Sequence, residues 1–175
     1  MSGPLLNTER FELWQPHASD LAALVALLDH PEMTEFLGPA RATEFSQFER
    51  LLRNAGSWSL YGYGVFMVRP RGSSELIASC GIFHSRRGFD PELGMEDVPE
   101  AGWIVRHDWW GKGVAKEAMA AALNWFDQAH GPQKVVCMIE EGNAASQAVA
   151  AQLGFTEYAR HQQPEEKPLV LYERV

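Results

Sequence analysis

The stretch Ile104-Val105-Arg106-His107-Asp108-Trp109-Trp110-Gly111-Lys112-Gly113-Val114-Ala115-Lys116-Glu117-Ala118 decides how this chain is read. It leaves an apolar segment at residues 101–106, read as a strand, and passes two tryptophans and a Gly-Lys-Gly tripeptide. It then enters a run in which Val114, Ala118, Met119, Ala122, Leu123 and Phe126 recur at helical spacing. A helix opened in this way starts with several backbone N–H groups that lack intrahelical acceptors, and it points the positive end of its dipole at whatever lies before it. Glycine at 111 and 113 lets an anion approach the main chain, Ala115 leaves the first turn uncrowded, and Lys112 adds a charge. The stretch therefore predicts a phosphate-binding strand-loop-helix unit.

Two familiar glycine loops are excluded by counting. A P-loop would need Gly where Arg106 stands and Ser or Thr where Gly113 stands. A dinucleotide fingerprint would need a third Gly at Lys116.

Downstream, residues 134–139 read as a strand, 144–153 as a helix stopped by Gly154, and 155–160 and 169–174 as two closing strands. Upstream, residues 11–14 alternate as a half-buried strand. A helix covers 21–28 with Ser19 or Asp20 as its cap, and a short turn at 32–37 ends at Gly38-Pro39. Thr43 caps a further helix in which Phe45, Phe48, Leu51 and Leu52 share the apolar face, with Asn54-Ala55-Gly56 as its stop. Residues 63–69 and 75–83 read as a hairpin, and residues 85–99 as an exposed, irregular loop. This order predicts an α+β fold with a mixed sheet, in a single domain spanning 1–175.

Composition narrows the partners. A formal net charge of -8 argues against a surface that neutralises nucleic-acid phosphates, and suits cationic substrates such as amines. No segment approaches the ~20 apolar residues of a membrane span, and the first residues lack a secretory pattern, so a cytoplasmic protein is expected. Cys80 and Cys137 read as buried strand thiols. The six histidines include no pair at i, i+4 spacing, so no metal site is expected.

The pattern Ile-Val-x-x-x-Trp-Trp-Gly-Lys-Gly-Val-Ala-x-Glu-Ala, followed by Asn143-x-x-Ser146 and Leu153-Gly154-Phe155, resembles the GNAT N-acetyltransferases. Within them it looks most like the Rim-type branch, whose opening strand resembles Thr8-Glu9-Arg10-Phe11. The resemblance covers nearly the whole chain. It implies a mostly antiparallel central sheet flanked by helices and splayed between the strand ending at Arg106 and the one beginning near Lys134. The pantetheine arm of acetyl-CoA would lie in the splay on the main chain of Ile104, Val105 and Arg106. The pyrophosphate would rest on Trp110, Gly111, Lys112, Gly113, Val114, Ala115 and Lys116, with Asn143 and Ser146 reaching the cofactor from the next crossover. Trp109 is expected beside it. Trp110 replaces a Gln or Arg common in the superfamily, and Val114 and Lys116 replace a Tyr and Thr usual in the branch.

Acetyl transfer to an amine needs a base for the ammonium, donors for the oxyanion and a proton for the leaving thiolate. The resemblance implies a tyrosine acid seven residues after Asn143, but that position is Ala150, which leaves Ser146 as the candidate for the thiolate. Glu100 matches the acid that precedes the strand in the branch and is the candidate base acting through water, with His84 as the alternative. The acceptor implied is a small amine or a protein N-terminus, attacked directly with no acetyl-enzyme. A homodimer is left open, and a non-catalytic acyl-CoA-binding module is the competing reading. The residue 85–99 loop, with Glu92, Glu96 and Asp97, is a candidate substrate cover.

Overall fold

The computed structural model describes residues 3–37, 43–162, 164 and 166–175; of Thr34 and Phe36 it describes the backbone alone. The strands are β1 (Leu6–Asn7), β2 (Phe11–Trp14), β3 (Val65–Pro70), β4 (Ala78–Arg86), β5 (Glu96–Val105), β6 (Val135–Glu140), β7 (Thr156–His161) and β8 (Leu169–Arg174). The helices are α1 (Leu21–Leu27), α2 (Thr34–Leu37), α3 (Glu44–Tyr61), α4 (Val114–His130) and α5 (Ala144–Gln152). The strands form one sheet in the order β1-β2-β3-β4-β5-β6-β8-β7. Each neighbouring pair is antiparallel except β5 and β6, which are parallel and share a single registered pair, Glu100 with Val136. The expected α+β class and splayed mixed sheet are both present.

Strand alternation divides the core. On one face Phe11, Phe66, Cys80, Ala101 and Cys137 pack under α4, whose Val114, Ala118, Met119, Ala122, Leu123 and Phe126 are all buried, as their spacing predicts. On the other face Val65, Met67 and Ile104 meet Leu24 and Leu27 of α1 and Leu51 of α3. The Cys80 and Cys137 thiols are free and buried.

The sequence reading of α3 needs correction. Phe45, Phe48 and Leu52 are exposed, whereas Gln47, Leu51, Asn54 and Ser57 are buried. The helix also runs past Gly56 and ends at Gly62, whose left-handed φ of 76° lets its N–H bond Trp58 O. Polar ties orient it. Ser57 Oγ donates to Tyr63 O and accepts the His84 N–H, and the Trp58 indole donates to Val65 O. These bonds turn the Ser57 face inward against the apolar pattern at the helix start.

Residues 85–99 are likewise not an irregular loop. β4 and β5 extend into them, with a register shift at Ser85/Arg86, and a 3-10 turn at Pro91–Leu93 closes the hairpin under an Asp90 cap. Glu96 accepts the N–H groups of Arg87 and Phe89, supplying locally the bonds that period-2 patterning missed. Asp20 is the N-cap position of α1, as read, but its side chain makes no cap bond there; a short 3-10 turn capped by His17 precedes it. Asp20 turns back to His17 N and to Arg69. Gly38-Pro39, read as the end of the second turn, lies outside the described residues.

Candidate active site

The sheet opens where β5 and β6 part. Beyond Glu100 and Val136 the two strands share no registered pair, so residues 101–105 present one edge without a strand beside it. Antiparallel pairing with β4 fixes which amides face that edge. The Arg106 N–H donates to Ile77 O at 2.9 Å, and because amides alternate along a strand, Ile104 also turns its amide groups toward β4. Trp103 and Val105 turn theirs to the open side, and Val105 O confirms it by accepting the Trp110 indole at 2.8 Å. Arg106 O is taken by the Trp109 N–H, and the Arg106 guanidinium is held by Asp108 and Glu75. Of Ile104, Val105 and Arg106, only Val105 turns its main-chain groups to the open edge, as Trp103 does, and Val105 O already accepts the Trp110 indole.

Both crossover helices start at this same end, after β5 and after β6. Between β5 and α4 the chain makes a 3-10 turn at His107–Trp109 and reaches Gly111 and Gly113, with φ of 70° and 75°. In that left-handed region a side chain is strained, which explains the glycines. Gly113 is the N-cap of α4 and brings no side-chain oxygen, so the first-turn N–H groups of Val114, Ala115 and Lys116 receive no capping bond. Gly111, Lys112, Gly113 and Lys116 are exposed, Ala115 is half-buried and Val114 is buried as the anchor. Trp109 stands edge-on to Phe11, with the Lys112 ammonium 5.1 Å from its ring centre. Uncapped N–H groups at an exposed helix start, the helix dipole and a lysine fit a diphosphate.

A residue not foreseen as part of the site holds this loop. Arg10 donates through Nη1 to Lys112 O (2.9 Å) and through Nε to Glu117 Oε2 (2.7 Å), while its own N–H and Thr8 Oγ1 both bond Glu117 Oε1. Burial alone would raise the Glu117 carboxyl, but the Thr8 and Arg10 hydrogen bonds outweigh it and hold the group below the usual carboxylate range. Arg10 and Glu117 each sat inside a quoted pattern. Their pairing across more than a hundred residues carried no local signal.

After β6, Asn143 caps α5: its Oδ1 accepts the Ser146 N–H at 3.1 Å and its carbonyl accepts the Gln147 N–H. Ser146 is half-buried on the first turn, and Ala150 is fully buried.

Glu100 lies inside β5 with 2% of its surface exposed, and both its carboxylate oxygens receive the Arg87 guanidinium. His84 is on the opposite face. It is bonded by Tyr63 Oη and Asp97 Oδ1, each at 2.8 Å, and stacked on Tyr61. Burial pushes the Tyr63 phenol up to about 12. Glu96 and Asp97, read as acids that draw an amine, are both engaged within their own hairpin. Burial also pushes the Cys80 thiol up to about 12 and the Cys137 thiol higher, so neither suits a nucleophile.

An open parallel strand edge that leads into a glycine-capped helix N-terminus has room and backbone partners for an extended, amide-bearing ligand with a phosphorylated end. The chain belongs to the GNAT acetyltransferases: the model of the acetyltransferase (GNAT) domain matches residues 10–156. It is 27% identical over 176 residues to protein YkkB of Bacillus subtilis strain 168, covering 97% of this chain and 94% of that one. A GnaT-family acetyltransferase structure from Bordetella pertussis superposes with a TM-score of 0.83 at 30% identity, over 97% of this chain and 98% of that one. The ribosomal L7/L12 α-N-protein acetyltransferase RimL, solved with coenzyme A, shares the fold with a TM-score of 0.75 at 17% identity, over 98% and 96% of the chains. The protein is thus an acetyltransferase. Among the described residues no helix is long and apolar enough to cross a membrane.

Proposed function

We propose that this acetyltransferase moves the acetyl group of acetyl-CoA to a primary amine, a small amine or a protein N-terminus, by direct attack. The observation that carries the reading is the junction of the open β5 edge with the Gly111–Gly113 cradle, which offers a pantetheine arm main-chain partners and its pyrophosphate a helix N-terminus. RimL, with the same fold, is solved with coenzyme A and acts on a protein N-terminus.

Acetyl-CoA supplies the activated thioester, and this chain's residues do the rest. The Trp103 and Val105 N–H groups, turned to the open edge, steady the developing oxyanion. Ser146, on the first turn of α5, serves the departing thiolate through its hydroxyl, in place of the tyrosine that buried Ala150 cannot supply. Glu100 takes the ammonium proton through water. Ser85 supports this, because its hydroxyl is buried without a partner among the described residues and lies one registered step beyond Glu100 on the same sheet face. Two buried, free cysteines suit action in the cytoplasm.

The test is thiol release from acetyl-CoA across amines and N-terminal peptides. Acceptor-dependent release is the expected result. Tight coenzyme A binding without release from any acceptor would make the protein a non-catalytic acyl-CoA-binding module, and no binding at all would refute the site. A Glu100→Gln variant that keeps the wild-type pH profile of kcat/KM would remove Glu100 as the base.

A further inference from the structure

Folding brings together two histidines and a carboxylate that the sequence keeps far apart. His30 and Glu32 sit in the turn between α1 and α2, His30 just before the 3-10 segment Pro31–Met33 and Glu32 within it. His107 opens the 3-10 turn that leads to the glycine loop. The two imidazoles stack face to face, with ring centres 3.5 Å apart and planes 8° from parallel. Glu32 Oε2 lies 3.5 Å from His107 Nε2, and the Glu32 N–H donates to His30 Nδ1 at 3.3 Å. One donor atom from each of the three residues falls within 4.8 Å of the other two. Both histidines are half-buried, Glu32 is exposed, and Trp110 covers His107 with its ring 4.7 Å away.

We propose that His30, Glu32 and His107 form a binding site for one divalent transition-metal ion of the zinc type. Two ligands about 2.05 Å from a tetrahedral ion stand roughly 3.3 Å apart, near the Glu32–His107 distance seen here, and one ligand atom from each residue already lies within 4.8 Å of the other two. At 3.5 Å the carboxylate and imidazole are too far apart for a good direct hydrogen bond. Two imidazoles and one carboxylate form a ligand set for zinc and its neighbours, whereas magnesium and calcium favour oxygen ligands throughout. The guanidinium of Arg106, next to His107 in the chain, is held by Asp108 and Glu75. Three protein ligands leave a coordination position for water. The ion would fasten the α1–α2 turn to the segment entering the anion cradle. An i, i+4 search does not find such a site, because its ligands come from two separate turns.

The experiment is calorimetric titration of tag-free protein with Zn2+, with Co2+ absorption as a second probe. One saturable equivalent is expected, with a rise in melting temperature on addition of Zn2+. His30→Ala and His107→Ala should each weaken binding more than about tenfold, since losing a ligand costs at least as much as losing a group that supports one. Glu32→Gln, an exposed change that leaves the fold undisturbed, should weaken it less but measurably, and unchanged far-UV circular dichroism of all three variants separates lost ligation from lost folding. The absence of saturable binding, or equal affinity in wild type and both histidine variants, overturns the proposal.

Discussion

Replacing Arg10 by alanine tests how the anion cradle is held. The guanidinium makes one bond to a neutral carbonyl, Lys112 O, and one charge-assisted bond to Glu117, and it lies 4.7 Å from the Phe11 ring centre. The carbonyl bond contributes about 1 kcal/mol net. The ion pair involves an arginine side chain that is 45% exposed, so screening limits it to about 1 kcal/mol. Arg10→Ala should therefore cost about 2 kcal/mol, a fall in Tm of roughly 4–8 °C for a domain of this size. Coenzyme A affinity, read by calorimetry, should drop about tenfold as the freed loop loses its set conformation. Arg10→Lys keeps the charge but cannot reach Lys112 O and Glu117 together in a fork, so it should rescue less than half of the loss. If coenzyme A binds Arg10→Ala within twofold of wild type, Arg10 does not organise the cradle. Full rescue by lysine would show that charge alone matters.

Further outcomes follow from the same structure. Glu117→Gln should lose about 1–2 kcal/mol at pH 7. Because the folded carboxyl lies below its ordinary 4.5, that contribution is present above 4.5 and disappears as pH falls through the folded value, so denaturant melts of the two proteins should converge in acid. Gly113→Glu sets a carboxylate against the phosphates and should abolish coenzyme A binding, while circular dichroism reports an intact fold; retained affinity places the cradle elsewhere. Arg87→Met leaves Glu100 buried without its cation and should cost about 3–5 kcal/mol by urea titration, a loss that Arg87→Met combined with Glu100→Gln partly restores. Ser146→Ala should lower kcat while KM for acetyl-CoA holds, and equal turnover removes Ser146 from the reaction.

The parts of the fold that could be read beforehand are those in which local pattern and tertiary need agree. The buried face of α4 was legible because one helix, packed on one sheet face, must show a 3.6-residue period. The glycines at 111 and 113 were legible because their left-handed φ excludes most other residues. α3 misled because Ser57 and Trp58 orient it through hydrogen bonds, so Phe45 and Phe48 face solvent despite their spacing. The hairpin at 85–99 was hidden because Glu96 satisfies backbone groups that a sheet ladder would otherwise signal. In the candidate site the glycine loop and Asn143 were visible as motifs, Asn143 as a cofactor contact and not as the cap of α5 that it forms. The direction in which β5 faces its amides was not, since it depends on register with β4. The His30–His107 stack joins two turns by contacts that no sequence spacing encodes.

The bonds from Thr8 and Arg10 to Glu117 reach across 109 and 107 residues. During synthesis the emerging N-terminal segment must wait until the start of α4 has left the ribosome before these bonds can form. The same reach ties the glycine loop to the first strands of the sheet, so a change in the segment around Thr8 and Arg10 is transmitted directly to the start of α4.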